Sequence, residues 1–378
     1  MERSQEIKTF TPSTVGLLLC IAIGAGVALY RMIHGLGHPV TGLNDVYPWG
    51  FWLGFDVLGG VAMAAGGFII ACAVYIFNWK KYRPITRPAI LTAFLGYLMA
   101  VVAIFFDIGH PFRLYHPGIM WQYGSVMWIV AMHVMFYTTT LAIESSPMLF
   151  EKLRWERARV LVDKILVGAV IFGVMLSTLH QASLGAVFLI APPRMSPLWY
   201  TQFIPYLFLI SAVAMGLAMV SAEAYLSSKA FHHEVDPEIF YGLARGMAVT
   251  LAIYLGCKLY FLFTNAGLAA AFDGSLAANM YLLEMGIGVI LPLALLAVPA
   301  VRRSARRIFT VNIIVISGIL LNRINVCVIS MEGYTIPRGG SYLPSVLELL
   351  MSLGIVCLGV FLFKMAAKHL PLFAHAEH

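Results

Sequence analysis

The sequence predicts an all-α integral membrane protein that crosses the bilayer ten times, with both termini on the cytoplasmic side. Three observations predict it. Hydrophobic residues fill 60% of the 378 positions and charged residues only 11%, against about 25% charged in a soluble domain. With a mean hydropathy of +0.85, such a chain cannot cover a water-facing surface. Ten apolar runs follow one another, each of about 20 residues or more, enough to span hydrocarbon. Finally, Lys and Arg crowd every second connection, as they do on the cytoplasmic side of a membrane.

The first run, 13–33, follows a segment whose charges (Glu2, Arg3, Glu6, Lys8) cancel, and it is too long for the core of a cleavable signal. The second, 50–77, carries Asp56. The third, 88–108, closes on Asp107-Ile108-Gly109-His110-Pro111-Phe112-Arg113, where Gly109 and Pro111 stop a helix. The fourth, 121–144, holds His133, Tyr137-Thr138-Thr139-Thr140 and Glu144; the fifth, 164–190, holds His180. The later runs are 202–227 with Glu223, 241–264 with Lys258, 276–300 with Glu284, 308–331 with Arg323, and 344–366 with Glu348. No internal repeat, low-complexity segment or soluble domain interrupts them.

Nineteen of the 25 Lys and Arg residues fall on one side of this arrangement. Arg31, Arg113, Arg194 and Arg338 fall on the other, and Lys258 and Arg323 lie within runs. The net charge of +7 is therefore a topology signal, not a nucleic-acid one. The outward loops are rich in Gly, Pro and aromatic residues, which suits a docking platform for an outside partner. The five cysteines (Cys20, Cys72, Cys257, Cys327, Cys357) all lie in apolar runs and form no C-x-x-C. Neither a disulfide, a metal site nor an iron–sulfur cluster is expected in this chain.

Ionisable residues inside hydrocarbon are costly and mark function by default. A rise of about 1.5 Å per residue puts Asp56 roughly 9–12 Å and His180 about 15 Å below the outer surface, level with Asp107 and His110. A structural polar network is the plainer reading of these four; a site whose substrate carries protons is the sharper one. Lys258, Glu284 and Arg323 form a second set, with Glu348 nearer the outer end, read as mutual pairing or as a second polar pocket. His133, Tyr137, Thr140, Glu144 and, on the sixth run, Glu223 form a third set leading inward. It is read either as a proton path or as threonines bonding back to their own helix. A b-type haem between His133 and His180, and an ion or solute transporter, are the alternatives from other classes.

Three stretches carry a resemblance: Tyr47-Pro48-Trp49-Gly50-Phe51-Trp52-Leu53-Gly54-Phe55-Asp56 with Gly66-Gly67 after it; Asp107 through Arg113; and Leu179-His180-Gln181-Ala182-Ser183-Leu184-Gly185. Together they resemble the NrfD/PsrC-type membrane subunits of respiratory complexes, in the HybB-like branch found with nickel–iron hydrogenases. His110 stands where many relatives carry Arg. The resemblance implies one polytopic domain over 1–378, built as two four-helix bundles (mainly 50–190 and 202–331) with terminal helices 13–33 and 344–366. It implies a quinone-reactive subunit of a prokaryotic inner-membrane complex, holding menaquinone or ubiquinone near the periplasmic face and carrying no haem or cluster of its own. The implied partners are a periplasmic ferredoxin-like iron–sulfur subunit and, beyond it, hydrogenase subunits or a multihaem cytochrome c. On this reading Asp56 relays protons, with Asp107 and His110 behind it. His180, beside Gln181, donates to a quinone carbonyl. Trp52 walls the ring, and Arg113 orients Asp107 or seats the partner.

Overall fold

The computed structural model describes residues 11–47 and 49–373. The charges Glu2, Arg3, Glu6 and Lys8 and the motif residue Pro48 lie outside them. Among the described residues the regular structure is helical throughout. Ten helices are long and apolar enough to cross a membrane: α1 (Pro12–His34), α2 (Trp52–Ile76), α3 (Lys80–Asp107), α4 (Val126–Leu153), α5 (Glu156–Ile190), α6 (Ile204–Phe231), α7 (Pro237–Ala266), α8 (Leu276–Ala297), α9 (Ala305–Arg338) and α10 (Val346–His369). The protein is a multi-pass integral membrane protein.

Each expected run is found, but several helices are longer than their apolar parts. The helix α3 begins at Lys80 instead of 88, α5 begins at Glu156 instead of 164, and α4 starts at Val126 but continues to Leu153. Hydropathy reports residence in hydrocarbon, whereas backbone hydrogen bonding continues past it. Lys and Arg in these extra turns keep their stems on the helix and their charges in water.

The helices α2 and α6 are the centre of the molecule. Of their most apolar windows 78% and 67% are buried, against 22% for α1 and α5. Small residues let the two approach: a Cβ on Gly216 would stand 2.5 Å from the Gly66 nitrogen, so only glycine fits there. A second grouping joins α1 to α10, packed on α2 and α3 through Val27, Trp52, Val57, Ala103 and Met351.

The helix α2 is irregular. Its first turns, Trp52–Gly59, are widened to π-helical geometry, a feature frequent at functional sites. At Ala65 the backbone tightens, and the Ala65 amide bonds the Ala62 carbonyl. The Val61 carbonyl thereby loses its helical donor. Gln181 of α5 supplies the replacement, its Nε2 donating to Val61 O at 2.9 Å. This mid-span break in α2 leaves no mark in the sequence, because no proline causes it.

Candidate functional site

Asp56 sits in the widened part of α2, four residues from its start. A helical rise puts it about 6 Å from that end. The residue is 6% exposed. Ser352 of α10 donates a hydrogen bond from Oγ to Asp56 Oδ2. Asp56 also lines a cavity of about 1690 Å³ between the α1–α10 pair and the faces of α2, α3, α6 and α9. The wall is mostly apolar. Its other carboxylate is Glu223 of α6, nearer the basic loops, and His232 and Lys364 stand at that end. Glu223 has Ser227 one turn away, but neither of its oxygens forms a well-aligned hydrogen bond among the described residues. Lys364 is tied to α1, with Nζ 3.1 Å from Thr11 Oγ1 and also bonded to Thr14. The arrangement can hold a flat, largely apolar ligand with a proton-exchanging carboxylate at each end.

Behind Asp56 lies a second carboxyl group. Asp107, at the last turn of α3, is within electrostatic reach of Asp56, Glu348 and Arg31. Arg31 of α1 is 3% exposed and holds the end of α3, donating from Nε to Phe106 O at 2.8 Å and from Nη2 to Ile108 O at 2.6 Å. A cation is favoured beside the last carbonyls of a helix. Arg31 therefore stands beside Asp107, one of the two places expected for Arg113. Arg113 and His110 are both exposed, because α3 stops at Asp107 and the chain turns outward before reaching them. Glu348 does not join the Lys258 set. Its Oε2 accepts from the Ser345 amide at 2.7 Å and the Gly42 amide at 3.2 Å, and its Oε1 accepts from the Tyr342 hydroxyl at 2.8 Å. These bonds cap α10 and fasten two loops to it. In those loops Tyr47 and Tyr342 are pushed well above the usual tyrosine range, by burial first and then by neighbouring carboxylates, Glu332 for Tyr47 and Glu348 for Tyr342.

Trp52 and His180 do not line the Asp56 cavity. The Trp52 indole is buried between α1, α2, α3 and α10 and donates to the Glu348 carbonyl at 3.2 Å. His180 is fully buried on the other side of α2 and α3. Its ring lies 5.6 Å from that of Tyr97 on α3 and 6.2 Å from that of His133 on α4. His133 Nδ1 is 3.3 Å from Ser183 Oγ. The Tyr97 and Tyr137 rings meet edge to face at 4.6 Å. The hydroxyls of Tyr97 and Tyr137 converge on Ser177 without forming a well-aligned hydrogen bond, and both His180 nitrogens have no hydrogen-bond partner among the described residues. Buried Thr140 and Glu144 continue this seam toward the basic end, with Thr140 Oγ1 bonding back to Phe136 O at 2.9 Å. The structure thus collects His133, Tyr137, Thr140, Glu144 and His180 in one α3–α4–α5 seam, and separates them from Asp56.

The third cluster is closed on itself. Glu284 of α8 is 1% exposed. Its Oε1 accepts from Asn322 at 2.8 Å and faces Lys258 Nζ at 3.3 Å. Its Oε2 accepts from Trp199 at 2.8 Å and Asn325 at 3.1 Å. Arg323 reaches Asn322 at 3.0 Å, Phe208 O at 3.1 Å and Ser211 at 2.8 Å, and its guanidinium stacks 3.8 Å from the Phe208 ring centre. Lys258 and Glu284 pair, and Arg323 joins them only through Asn322.

A family model described as "Polysulphide reductase, NrfD" matches residues 39–335. A protein of Nitratidesulfovibrio vulgaris Hildenborough is 36% identical, covering 97% of this chain and 96% of its own length. The probable Ni/Fe-hydrogenase 2 b-type cytochrome subunit of Escherichia coli K12 is 30% identical, over 98% of this chain and 92% of that one. The menaquinone reductase integral membrane subunit of N. vulgaris is 27% identical, over 92% and 88%. The helices α1 and α10 lie outside the matched stretch.

Proposed function

The chain belongs to the NrfD family, and from that premise we propose that it is the quinone-reactive membrane subunit of a respiratory oxidoreductase, with Asp56 as the proton-exchanging group at the quinone. The observation that carries the reading is a buried carboxylate on the wall of an apolar cavity of about 1690 Å³. That volume exceeds the ~300–1,000 Å³ of ordinary small-molecule pockets, which suits a two-ring head with a length of apolar tail. Relatives named for hydrogenase 2 and for menaquinone reductase support the same class of substrate and complex.

Reduction of a quinone to a quinol takes two electrons and two protons. The electrons come from outside this chain, from an iron–sulfur subunit docked on the Gly/Pro-rich loops at the Asp56 end. A hydrogenase or a multihaem cytochrome c feeds that subunit. The cationic loops at the opposite end support a topology with both termini in the cytoplasm and the Asp56 end toward the periplasm. Asp56 gives or takes a proton at a carbonyl oxygen, acting as a general acid or base within hydrogen-bond reach. Asp107, held beside Arg31, is the reserve acid behind it. Glu223, on the same cavity wall, is the group through which protons reach the site from the cytoplasmic side. In this reading His180 and Gln181 are not quinone donors. Gln181 mends α2, and His180 belongs to the α3–α4–α5 seam. Lys258, Glu284 and Arg323 hold helices together.

The test is donor-driven quinone reduction by the assembled complex in membranes. Asp56→Asn is expected to stop turnover without loss of the partner subunits. Wild-type turnover in that variant would refute the proposal.

A further inference from the structure

We infer that Ser352 is a positioning residue for Asp56, so that the α1–α10 pair, outside the stretch the family model matches, completes the reactive carboxylate. The inference deepens the quinone reading above and rests on it. Two rungs join α2 to α10. In the first, Trp52 Nε1 donates to Glu348 O at 3.2 Å. In the second, Ser352 Oγ donates to Asp56 Oδ2. Trp52 and Asp56 are four residues apart, and so are Glu348 and Ser352, so each pair lies on one face of its helix. Both rungs therefore come from a single rotation and depth of α10 against α2.

That rotation and depth are fixed independently of Asp56. Glu348 is immobilised by the Gly42 and Ser345 amides and the Tyr342 hydroxyl. On the opposite side, α1 clasps α10, where a Cβ built on Gly24 would lie 2.8 Å from the Gly354 Cα. Ser352 is 2% exposed and is carried on this rigid pair.

The consequence for chemistry is geometric. A carboxyl group turns readily about its last side-chain bond, which has no steep rotamer wells. The Ser352 hydroxyl takes Oδ2 and so fixes the carboxyl plane. Oδ1, which has no hydrogen bond among the described residues, is left for the ligand. The proton exchanged with a quinone carbonyl then sits at Oδ1. Ser352 itself gives up no proton, since its hydrogen stays on Oγ throughout.

The experiment compares Ser352→Ala, Ser352→Thr and Asp56→Asn in the complete complex, measuring kcat and KM for a menaquinone analogue. Ser352→Ala is expected to lower kcat by about 10- to 100-fold, the range set by one hydrogen bond to a charged group, with KM and Tm close to wild type. Ser352→Thr keeps the hydroxyl and is expected to recover most of the turnover. Ser352→Cys, close in size and a weak donor, is expected to fall between them, and it replaces the alanine variant should that one not assemble. Wild-type kcat in Ser352→Ala, or in Ser352→Cys where it stands in, overturns the inference. So does a threonine variant as impaired as alanine in a complex of unchanged Tm. If Asp56→Asn abolishes turnover while Ser352→Ala does not, only this inference fails. If Asp56→Asn turns over normally, the quinone reading fails with it.

Discussion

Glu284 and Asp56 are both carboxylates buried in apolar helices, 1% and 6% exposed, yet the protein surrounds them differently. Glu284 is saturated: a lysine, two asparagines and a tryptophan converge on its two oxygens. Asp56 receives one hydroxyl, from Ser352, and faces a cavity. Burial alone therefore does not identify a reactive acid. A carboxylate whose hydrogen-bonding capacity is filled by fixed donors holds helices in register. One left with an unused oxygen beside empty volume can meet a ligand. The cluster around Glu284 follows the first pattern, and the face shared by α2 and α10 follows the second.

The contrast can be broken at either carboxylate. The largest expected effect is on turnover at Asp56: replacing it with Asn removes the general acid and lowers quinone reduction by about 10²- to 10⁴-fold. Tm should stay near wild type, because only one donor was satisfied there. Glu284→Ala reverses the pattern. It strands Lys258 and three amide or indole donors in hydrocarbon, and breaking a buried pair costs about 3–5 kcal/mol. The expected result is a large fall in Tm or failure to accumulate in membranes, read by thermal melting of the detergent-solubilised protein. A folded Glu284→Ala variant that loses only turnover would erase the distinction between the two sites.

Smaller effects sharpen the comparison elsewhere. Tyr97→Phe removes a buried hydroxyl that has Ser177 beside it but forms no well-aligned hydrogen bond among the described residues. Its melting temperature should be unchanged or slightly raised, within about 1 kcal/mol of stability; a fall of several degrees would mean that the α3–α4–α5 seam is paired in a way the contacts do not reveal. The smallest effect concerns the loops. Folded Tyr342 and Tyr47 hold their protons more tightly than unfolded tyrosine does. The unfolded chain therefore ionises first as pH rises past about 10. Stability should fall from that pH upward, while these two groups contribute no slope below it. Tyr342→Phe should flatten that alkaline limb; an unchanged limb would count against the loop latch on Glu348.

Much of this organisation was readable in the sequence because lipid leaves few options. Ten apolar runs and an alternating charge pattern specify ten helices, and the presence of Asp56 in hydrocarbon specifies a place to look. Residue counting orders side chains along each helix, but it does not give their rotation. His180 has the level expected for a partner of Asp56 but faces Tyr97 and His133, because helix orientation is set by packing and by the widened turns of α2. Trp52 likewise turns to α10, where it bonds the Glu348 carbonyl. Arg31 could have been found: it lies inside the first apolar run, where a guanidinium needs a partner, and was set aside as a loop charge. Ser352 left no trace, as one serine in an apolar helix is unremarkable until Asp56 is seen opposite it.

The most direct measurement is photolabelling of the membrane-bound complex with an azido-naphthoquinone, followed by peptide mapping. The account predicts label on the cavity walls: on α2 near Asp56, on α3 near Met99, and on α10 near Ile355, with protection by excess unlabelled quinone. Protectable label confined to the α4–α5 peptides around His133 and His180 would contradict it and move the site to the other side of α2.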